Sequence, residues 1–420
     1  MKLDRERSRR VRVDCDRLHT WPDLAKFALT WSSNTPVIRA IAALGRDERS
    51  AGSHDFMVRR DGGPHRSPAC RHPVRVNVAC LTKILKSRYP RGSMKKSTNG
   101  VLATLAVAIA HAALVPKTLS ENVAPHIETI PIQSLTISDE QFLTGDASGR
   151  PTAISGILKV AQGSGHFPLV ILVHGSGGIE ENAVVWERLF ASLGISTFEI
   201  DSFAGRGIVS TVADQSQLGR LNMILDLYRS LSILAAHPQV DPNRIAVMGF
   251  SRGGQAALYA TLKRFQKMWN PSGIDPAAYI ALYAPCITTY IGDTQVTDHP
   301  IRIFHGRSDD WVQIAPCRAY FKRLKVAAKD VQMFEYPNTW HAFDYPSLPS
   351  KPIDVPYAQT THCVLKEEPM GTIINMTTHK PFTYADDCLG RSAHVAYSVK
   401  ATRATEDAVR VLLKKVFELL

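Results

Sequence analysis

The sequence predicts an α/β fold with a mostly parallel, doubly wound sheet that is flanked by helices. Short apolar runs alternate with longer helical segments, which is the pattern of such sheets. Most of the apolar runs are continuous, as expected where helices cover both faces of a sheet. The predicted strands are 153–160, 168–174, 195–200, 244–249, 279–284, 301–306 and 331–336. The predicted helices lie near 182–193, 216–236, 252–268, 314–328 and 403–419.

Residues 113–420 are predicted to form one domain, because about 308 residues suffice for a single large core. The regular alternation spans about 150–345. Residues 345–398 are rich in Pro and Thr and show little periodicity, so we expect an irregular excursion there. The final helix, at about 403–419, then completes the domain.

Residues 94–112 have the three parts of a secretory signal peptide. Met94 is followed by two lysines, an apolar run extends from Val101 to Val115, and a small-x-small site precedes Ala113. The run of about 15 residues is shorter than the roughly 20 that a membrane-spanning helix needs. A signal peptide is therefore favoured over a membrane anchor or a buried core helix.

The basic charge of the chain comes from its first 112 residues. The whole chain has 50 Lys and Arg against 38 Asp and Glu, a net charge of +12. Residues 1–93 hold 20 basic and 9 acidic side chains, whereas residues 113–420 hold 28 and 29. A basic domain would suggest nucleic acid as a partner, but the predicted domain is nearly neutral and no nucleic-acid partner is expected.

Residues 1–93 are not predicted to form a domain, because they are rich in Arg, Pro and His and lack sustained periodicity. Our hypothesis is that Met94 is the true initiator, and a disordered basic arm is the alternative. The protein would then be periplasmic or secreted, with no membrane anchor after cleavage of the signal. Otherwise it would be cytoplasmic or membrane-anchored. No sequence feature predicts the oligomeric state.

The motif with the most specific chemistry is Gly249-Phe250-Ser251-Arg252-Gly253, a G-x-S-x-G pattern between a predicted strand and a predicted helix. A strand-to-helix turn of this kind is so sharp that side chains flanking the serine would clash, which explains the glycines. The turn exposes the serine hydroxyl at the helix N-terminus. Ser251 is therefore the predicted nucleophile.

A serine nucleophile needs a base, and the base needs an orienting carboxylate. In this fold the three follow the chain order Ser, Asp or Glu, His. His341 follows the last predicted strand and is the predicted base. Asp309 follows the strand 301–306 and is the predicted carboxylate, with Asp310 as its rival. His174 and His305 are weaker candidates for the base, because they lie at the end of a strand or inside one.

The segment His174-Gly175-Ser176-Gly177-Gly178 directly follows a predicted strand. Glycines allow a backbone to approach a reacting atom closely, so its N–H groups can stabilise an oxyanion. We expect one donor from the amide of Arg252 and a second from Ser176 or Gly177. A simple turn is the alternative.

Together the segments HGSGG, DSFAGRG, HPQVDPNRIAVMGFSRGG, HGRSDDWV and WHAFD resemble the dienelactone hydrolase family of the α/β-hydrolase superfamily. The resemblance covers about residues 150–345. It implies an α/β-hydrolase fold and a hydrolase that acts on a small-molecule ester or lactone. The namesake enzymes of the family use a cysteine nucleophile. Ser251 departs from that pattern and favours the serine-hydrolase branch, with esters, lactones or acyl-peptides as possible substrates.

Two side chains near these motifs are candidates for substrate binding. Arg206 lies after the strand that ends at Ile200 and could hold a substrate carboxylate, although a structural ion pair is the alternative. Trp340, next to His341, and Trp311, near Asp309, could line the cleft, although packing in the core is an equal alternative.

The domain retains four cysteines, Cys286, Cys317, Cys363 and Cys388. An even number in an exported chain suggests disulfides, and four cysteines allow three connectivities. The positions favour Cys286–Cys317 above the sheet and Cys363–Cys388 around the excursion. Reduced cysteines in a cytosolic enzyme are the alternative.

No metal site and no cofactor are predicted, because the sequence lacks C-x-x-C, H-E-x-x-H, P-loop and G-x-G-x-x-G patterns. The expected reaction is acyl transfer to water, with the amides and the Ser251–His341–Asp309 triad as the machinery. A peptidase or acyl-aminoacyl hydrolase is the alternative within catalysis. A non-catalytic binding protein of the same fold is the alternative from another class.

Overall fold

The computed structural model describes the residue pairs Asp55–Phe56 and Val74–Arg75 and residues 126–419. The chain divides into two units, Met1–Thr118 and Leu119–Leu420. In the first, strand β1 (Asp55–Phe56) pairs antiparallel with β2 (Val74–Arg75). The predictions for residues 94–112 lie outside the described residues. Apart from β1 and β2, the predictions for residues 1–93 lie outside them as well. In the described ranges, no helix has the length and apolar character to cross a membrane.

The second unit contains fourteen strands and seven α-helices among its described residues. The strands are β3 (Ile127–Thr136), β4 (Arg150–Lys159), β5 (Phe167–Val173), β6 (Ser196–Asp201), β7 (Val240–Phe250), β8 (Ala278–Leu282), β9 (Thr288–Thr289), β10 (Ile301–Gly306), β11 (Val331–Tyr336), β12 (Ile353–Thr361), β13 (Leu365–Glu367), β14 (Ile373–Asn375), β15 (Lys380–Pro381) and β16 (Leu389–Val395). The helices are α1 (Asp139–Thr144), α2 (Glu181–Ser192), α3 (Asn222–Leu234), α4 (Arg252–Tyr259), α5 (Lys263–Trp269), α6 (Ile314–Val326) and α7 (Val399–Val416).

An eight-stranded sheet forms the centre of this unit, in the order β11-β10-β8-β7-β5-β6-β4-β3. The six strands from β11 to β6 are parallel, and β4 and β3 are added in antiparallel pairs at one edge. The predicted mostly parallel sheet is therefore confirmed, and all seven predicted strands are present. The carboxyl ends of β5, β7, β8, β10 and β11 meet at one edge, where ligands bind in sheets of this kind.

Both faces of the sheet are buried, which explains the continuous apolar runs. Along β5, Leu169, Ile171 and Val173 belong to the core on one face, with α3 and α4. Val170 and Leu172 belong to the core on the other face, with α2 and α7. Because successive side chains point to opposite faces, a strand with two covered faces is apolar throughout.

The structure differs from the predicted helices at two places. The helix predicted at 252–268 is two helices, α4 and α5, with residues 260–262 between them. Leu262 forms a bridge with Val296 instead of continuing the helix. The helix predicted at 216–236 is shorter, since α3 spans only Asn222–Leu234 and a separate 3-10 turn precedes it.

The segment predicted as an irregular excursion contains ordered strands. Strand β12 pairs antiparallel with β16, and β13, β14 and β15 form a small sheet with β9. Cys363 and Cys388 form a disulfide across this segment, with Cα atoms 5.0 Å apart. Cys286 and Cys317 form the second, with Cα atoms 4.9 Å apart. Both bridges have the pairing that the sequence positions favour.

The buried Glu199 in β6 gives the fold a testable pH dependence. Burial, and the charge of Glu187, raise the pKa of Glu199 to about 7, although Lys159 opposes this. The unfolded chain loses that proton near pH 4.3. Between these values the folded protein holds a proton that the unfolded chain releases, so the free energy of unfolding falls as the pH rises.

We expect the free energy of unfolding of the wild type to fall from pH 4.5 to pH 8, whereas that of Glu199→Gln, which cannot titrate at this position, should fall less. The difference between the two falls should be roughly 1–3 kcal/mol. Urea unfolding followed by circular dichroism at the two pH values measures this difference. Glu140→Gln, at an exposed position, is the control and should show little change. Equal pH dependence in both variants would contradict the assignment.

Candidate active site

Ser251 sits at a strained turn between β7 and α4. Its backbone has φ 50° and ψ −114°, a conformation that residues other than glycine rarely adopt. The flanking glycines make the turn possible. A methyl group at Gly249 would lie 2.0 Å from the carbonyl oxygen of Gly253, and one at Gly253 would lie 2.0 Å from that of Val173. The G-x-S-x-G prediction therefore has a steric basis in the structure.

The structure brings Ser251, His341 and Asp309 into one hydrogen-bonded row. Nε2 of His341 lies 3.0 Å from Oγ of Ser251, and Nδ1 of His341 lies 2.8 Å from Oδ2 of Asp309. Because a carboxylate only accepts, Nδ1–H of His341 donates to Asp309. In the neutral ring Nε2 is then free to accept the hydroxyl proton of Ser251. This is the arrangement in which a histidine can act as a base.

Asp309 is buried, yet its surroundings keep it ionised. Burial opposes the charge, but the pKa of Asp309 is lowered to about 2 by His341 and His305. The backbone N–H of Val312 also donates to its Oδ1, at 2.8 Å. His305 itself is buried and donates from Nε2 to the carbonyl oxygen of Val312, at 2.8 Å. The same Nε2 lies 3.5 Å from Oδ2 of Asp309, so His305 lies beside the carboxylate.

The rival carboxylate, Asp310, has another partner. Its Oδ2 accepts from Nδ1 of His394 at 2.7 Å, and its Oδ1 accepts from the backbone N–H of His394 at 2.9 Å. His394 lies in β16, whose neighbour Val395 forms a bridge with His341. Asp310 therefore ties the loop after β10 to the strand that runs beside His341.

The ring of His341 packs against two aromatic side chains. Its centroid lies 4.7 Å from that of Tyr283 and 4.9 Å from that of Trp311. Tyr283 is held in place by its hydroxyl, which donates to the buried Asp344 at 2.6 Å. Trp311 is fixed by its Nε1–H, which donates to the carbonyl oxygen of Gln359 at 3.1 Å. These contacts hold the imidazole in one orientation.

His174, the other histidine considered as a base, holds the glycine-rich loop instead. Its Nδ1 donates to the carbonyl oxygen of Gly175 at 2.8 Å, and its Nε2 accepts the N–H of Ser202 at 3.2 Å. Both ring nitrogens are used in the neutral form. Burial lowers the pKa of His174, which favours that form.

The loop that carries the predicted oxyanion donors passes beside the nucleophile. A methyl group at Gly175 would lie 3.5 Å from Cβ of Ser251, so this loop passes directly next to it. The amides of Ser176 and Gly177 form no hydrogen bond with the described part of the chain. Arg252 is the first residue of α4, where N–H groups lack partners within the helix. The carbonyl oxygen of Ser176 accepts from Thr211 at 2.8 Å, which fixes the loop.

An open cleft lies in front of Ser251. Its lining includes polar side chains that the sequence did not single out: Gln215, Arg220, Gln255, Gln359 and Thr361. Gln215 donates to the hydroxyl of Ser176 at 3.0 Å, and the side chain of Gln359 accepts from the N–H of Gln215 at 2.7 Å. These residues lie on different elements, with Gln255 in α4 and Gln359 and Thr361 in β12, and they carry no common motif, so their convergence is visible only in the fold.

The substrate-binding prediction for Arg206 is corrected by the structure. Its guanidinium pairs with the buried carboxylate of Asp226 at 2.7 Å and also donates to Thr136 and two backbone carbonyls. All of its donor nitrogens are used within the protein, and Arg206 does not line the cleft. It is the structural ion pair that the sequence left open.

Trp340 is corrected as well. Its ring packs on His394, with centroids 5.1 Å apart, whereas Trp311 is the tryptophan that lines the cleft. Neighbours in sequence on a loop point in different directions, so adjacency to His341 did not identify the lining residue.

Among the described residues, no group of three or more His, Cys, Asp or Glu side chains could hold a metal ion.

Several solved structures are similar to this chain. A dienelactone hydrolase-like promiscuous phosphotriesterase from metagenomic libraries is 17% identical, with a TM-score of 0.43 over 69% of this chain and 98% of that chain. The carboxylesterase of Lactobacillus plantarum is 14% identical, with a TM-score of 0.44 over the same shares. Esterase 2 of Thermogutta terrifontis is 16% identical, with a TM-score of 0.36 over 45% and 80%.

No curated protein matches the sequence. The family model described as the dienelactone hydrolase family matches residues 154–363, which is half of the chain. The matched segment holds Ser251 and His341 and the loops that bring them together. The chain therefore belongs to the dienelactone hydrolase family, and it is a hydrolase.

Proposed function

We propose that this protein is a serine hydrolase that cleaves a carboxylic ester or lactone through an acyl-enzyme. One observation carries the proposal: an unbroken hydrogen-bonded row from Oγ of Ser251, through both nitrogens of His341, to Asp309. This row joins a nucleophile, a base and an orienting carboxylate in the order that acyl transfer requires.

In the first step His341 removes the proton of Ser251 as Oγ attacks the substrate carbonyl. The imidazolium that forms lies 2.8 Å from Asp309. Because the low pKa of Asp309 keeps it ionised, it stabilises that cation without taking the proton. The negative charge on the former carbonyl oxygen is bound by the amide of Arg252 and that of Ser176 or Gly177.

In the second step His341 gives its proton to the departing alcohol oxygen, and the ester is now on Ser251. Water then attacks the acyl-enzyme, with His341 again as the base, and the acid leaves. A lactone would open in the same way, with the alcohol still joined to the acyl group. Small esters and lactones could reach Ser251 through this open cleft.

We also propose that the enzyme works outside the cytosol. The disulfides Cys286–Cys317 and Cys363–Cys388 support this, because disulfides persist in oxidising compartments and are rare in the cytosol. The second bridge lies beside the cleft, since Gln359 and Thr361 line it and Cys363 follows two residues later. Formation of the Cys363–Cys388 disulfide would therefore also make one wall of the cleft more rigid.

The nucleophile is tested with Ser251→Ala. Because Ser251 forms the covalent bond, we expect the turnover of 4-nitrophenyl acetate to fall by at least about a thousandfold. A fluorophosphonate probe should label the wild type at Ser251, as mapped by mass spectrometry, and leave the variant unlabelled. Ser164→Ala, at an exposed position, is the control and should match the wild type. Wild-type protein with neither labelling nor turnover would defeat the proposal.

The two aspartates are separated by a pair of variants. Asp309→Asn loses the charge that orients His341, so we expect kcat to fall by roughly a thousandfold or more. Asp310→Asn loses only the contact with His394, and we expect a fall of less than about tenfold. Thermal unfolding of both variants provides the control for folding. A larger loss in Asp310→Asn, with the fold intact, would reverse the assignment.

The disulfides are tested by peptide mapping without reduction, on protein recovered from an oxidising compartment. We expect two linked peptide pairs, Cys286 with Cys317 and Cys363 with Cys388. Replacing Cys363 and Cys388 by serine should lower the free energy of unfolding by about 3 kcal/mol, because the loop of the unfolded chain is no longer closed. Four free thiols would refute both bridges.

A further inference from the structure

We propose that the cleft binds a substrate with several neutral hydroxyl groups, so that the enzyme prefers esters or lactones whose alcohol or acyl part is a polyol. The inference rests on the proposed function and names the substrate class of the same site. It comes from three side chains that line the cleft together with Ser251 and keep hydrogen-bonding atoms to spare: Gln255, Gln359 and Thr361.

Gln255 lies one helical turn after the nucleophile. It belongs to the first turn of α4, and its backbone N–H donates to the carbonyl oxygen of Ser251 at 2.9 Å. The residue is only 3% exposed, yet its side-chain amide forms no hydrogen bond with the described part of the chain. Its Oε1 and Nε2 are not among the fully enclosed polar atoms that lack a partner, so the cleft reaches them. A nearly buried amide of this kind is expected to find its partner in a ligand.

Gln359 keeps one end of its amide for the cleft. Its Oε1 accepts from the backbone N–H of Gln215 at 2.7 Å, which shows which end of the amide is the oxygen. The other end, Nε2, carries two N–H donors and donates to no described residue. Gln215 differs, because its Oε1 accepts from Arg252 at 2.8 Å and its Nε2 donates to Ser176 at 3.0 Å. Gln215 is therefore satisfied within the protein, whereas Gln359 is not.

Thr361 continues the row that Gln359 begins. The two residues are two positions apart in β12, so their side chains lie on the same face of the strand, about 6.6 Å apart along it. The hydroxyl of Thr361 has no hydrogen-bond partner in the part of the chain that the structure describes. A single hydroxyl of a ligand would not span this separation and also meet Gln255, which comes from a helix. Several hydroxyl groups on one ligand would.

Neutral hydroxyl groups suit these side chains better than other groups do. An amide and a hydroxyl each donate and accept, so they pair without any charge. In a trans peptide the N–H and the C=O point in opposite directions, whereas neighbouring hydroxyl groups can face the same way. A cationic group would meet no counterion, because the described residues that line the cleft include no Asp or Glu.

Trp311 adds an apolar surface to the same cleft. Its ring is half-buried, and its polar atom, Nε1, already donates to the carbonyl oxygen of Gln359 at 3.1 Å. The rest of the ring suits the C–H groups of a polyol chain, as aromatic surfaces do in sites where a few polar groups fix the orientation of the ligand.

The same side chains should disfavour an alkyl substrate. Solvent that enters the open cleft can hydrogen-bond to the amide of Gln255. A substrate group that displaces this solvent without replacing its hydrogen bonds loses affinity, whereas a hydroxyl replaces them. Discrimination against the analogue that lacks the hydroxyl groups is therefore expected to be larger than one added hydrogen bond would give.

Two pairs of uncharged esters test the inference, each with hydroxyl groups replaced by methyl groups of similar size. On the alcohol side, 2,3-dihydroxypropyl acetate is compared with 2-methylbutyl acetate. On the acyl side, methyl 2,3-dihydroxypropanoate is compared with methyl 2-methylbutanoate. The released acid is titrated at constant pH, and each kcat/KM is divided by the rate constant for hydroxide, which removes differences in intrinsic reactivity. In at least one pair, we expect the wild type to favour the diol ester by roughly ten- to hundredfold.

Gln255→Met keeps the length of the side chain and removes its hydrogen bonds. We expect the preference to fall at least about fivefold, because the diol ester loses a partner and the alkyl ester no longer leaves an amide unpaired. Thr361→Val keeps the shape and removes the hydroxyl, and it should lower the preference about two- to fivefold. Gln332→Met is the matched control, because Gln332 is exposed in β11 and does not line the cleft. It should keep the full preference.

A wild type that hydrolyses esters without preferring either diol ester would overturn the inference and leave the proposed function standing. So would a preference that remains in full in Gln255→Met or, if that variant does not fold, in Thr361→Val. Absence of turnover of every ester, together with absence of probe labelling at Ser251, would instead show that the proposed function is wrong.

Discussion

The site depends on the close packing of the turn at Ser251. Gly253 approaches the carbonyl oxygen of Val173 so closely that no side chain fits between them. Val173 ends β5 and leads directly into the glycine-rich loop. The same contact therefore sets the strained serine at the start of α4 and fixes its distance from the backbone amides of that loop. A larger residue at Gly253 would move both parts of the site at once.

The buried charges of the domain follow two different designs. Asp309 and Arg206 are compensated by the protein itself, through His341 and His305 in one case and Asp226 in the other. Such groups hold other elements in position. Arg220 contacts two aromatic rings, and no carboxylate of the described chain forms a direct ion pair with it. The two arginines are 14 residues apart in sequence, yet one completes the fold and the other faces the cleft.

Much of the fold could be predicted from the sequence because β5, β7, β8 and β10 are buried on both faces and form continuous apolar runs. Strand β3 was missed because it lies at the edge of the sheet, where buried residues such as Ile130 and Ile132 alternate with exposed ones. The strands between 353 and 395 are short and polar, and they depend on pairing and on a disulfide rather than on local pattern.

The three residues of the row from Ser251 to Asp309 could be located from the sequence, because each directly follows a strand of the parallel sheet. Their neighbours could not. Arg206 pairs with Asp226, whereas Arg220 lines the cleft. The sequence does not separate the two arginines, because Asp226 lies on a helix whose packing the sequence does not specify. Likewise, Trp311 and Trp340 are both close to the row in sequence, and only the direction of each loop separates them.

Strand β16 has a consequence for how much of the chain an active fragment must contain. The match to the family stops at residue 363, but the backbone of His341 is bridged by Val395, and its carbonyl oxygen accepts from Ala396 at 3.3 Å. A fragment cut at the homology boundary would contain every reacting side chain and lack the strand that steadies the base. The smallest active fragment must therefore include the strand that supports His341, and it is longer than the segment that matches the family.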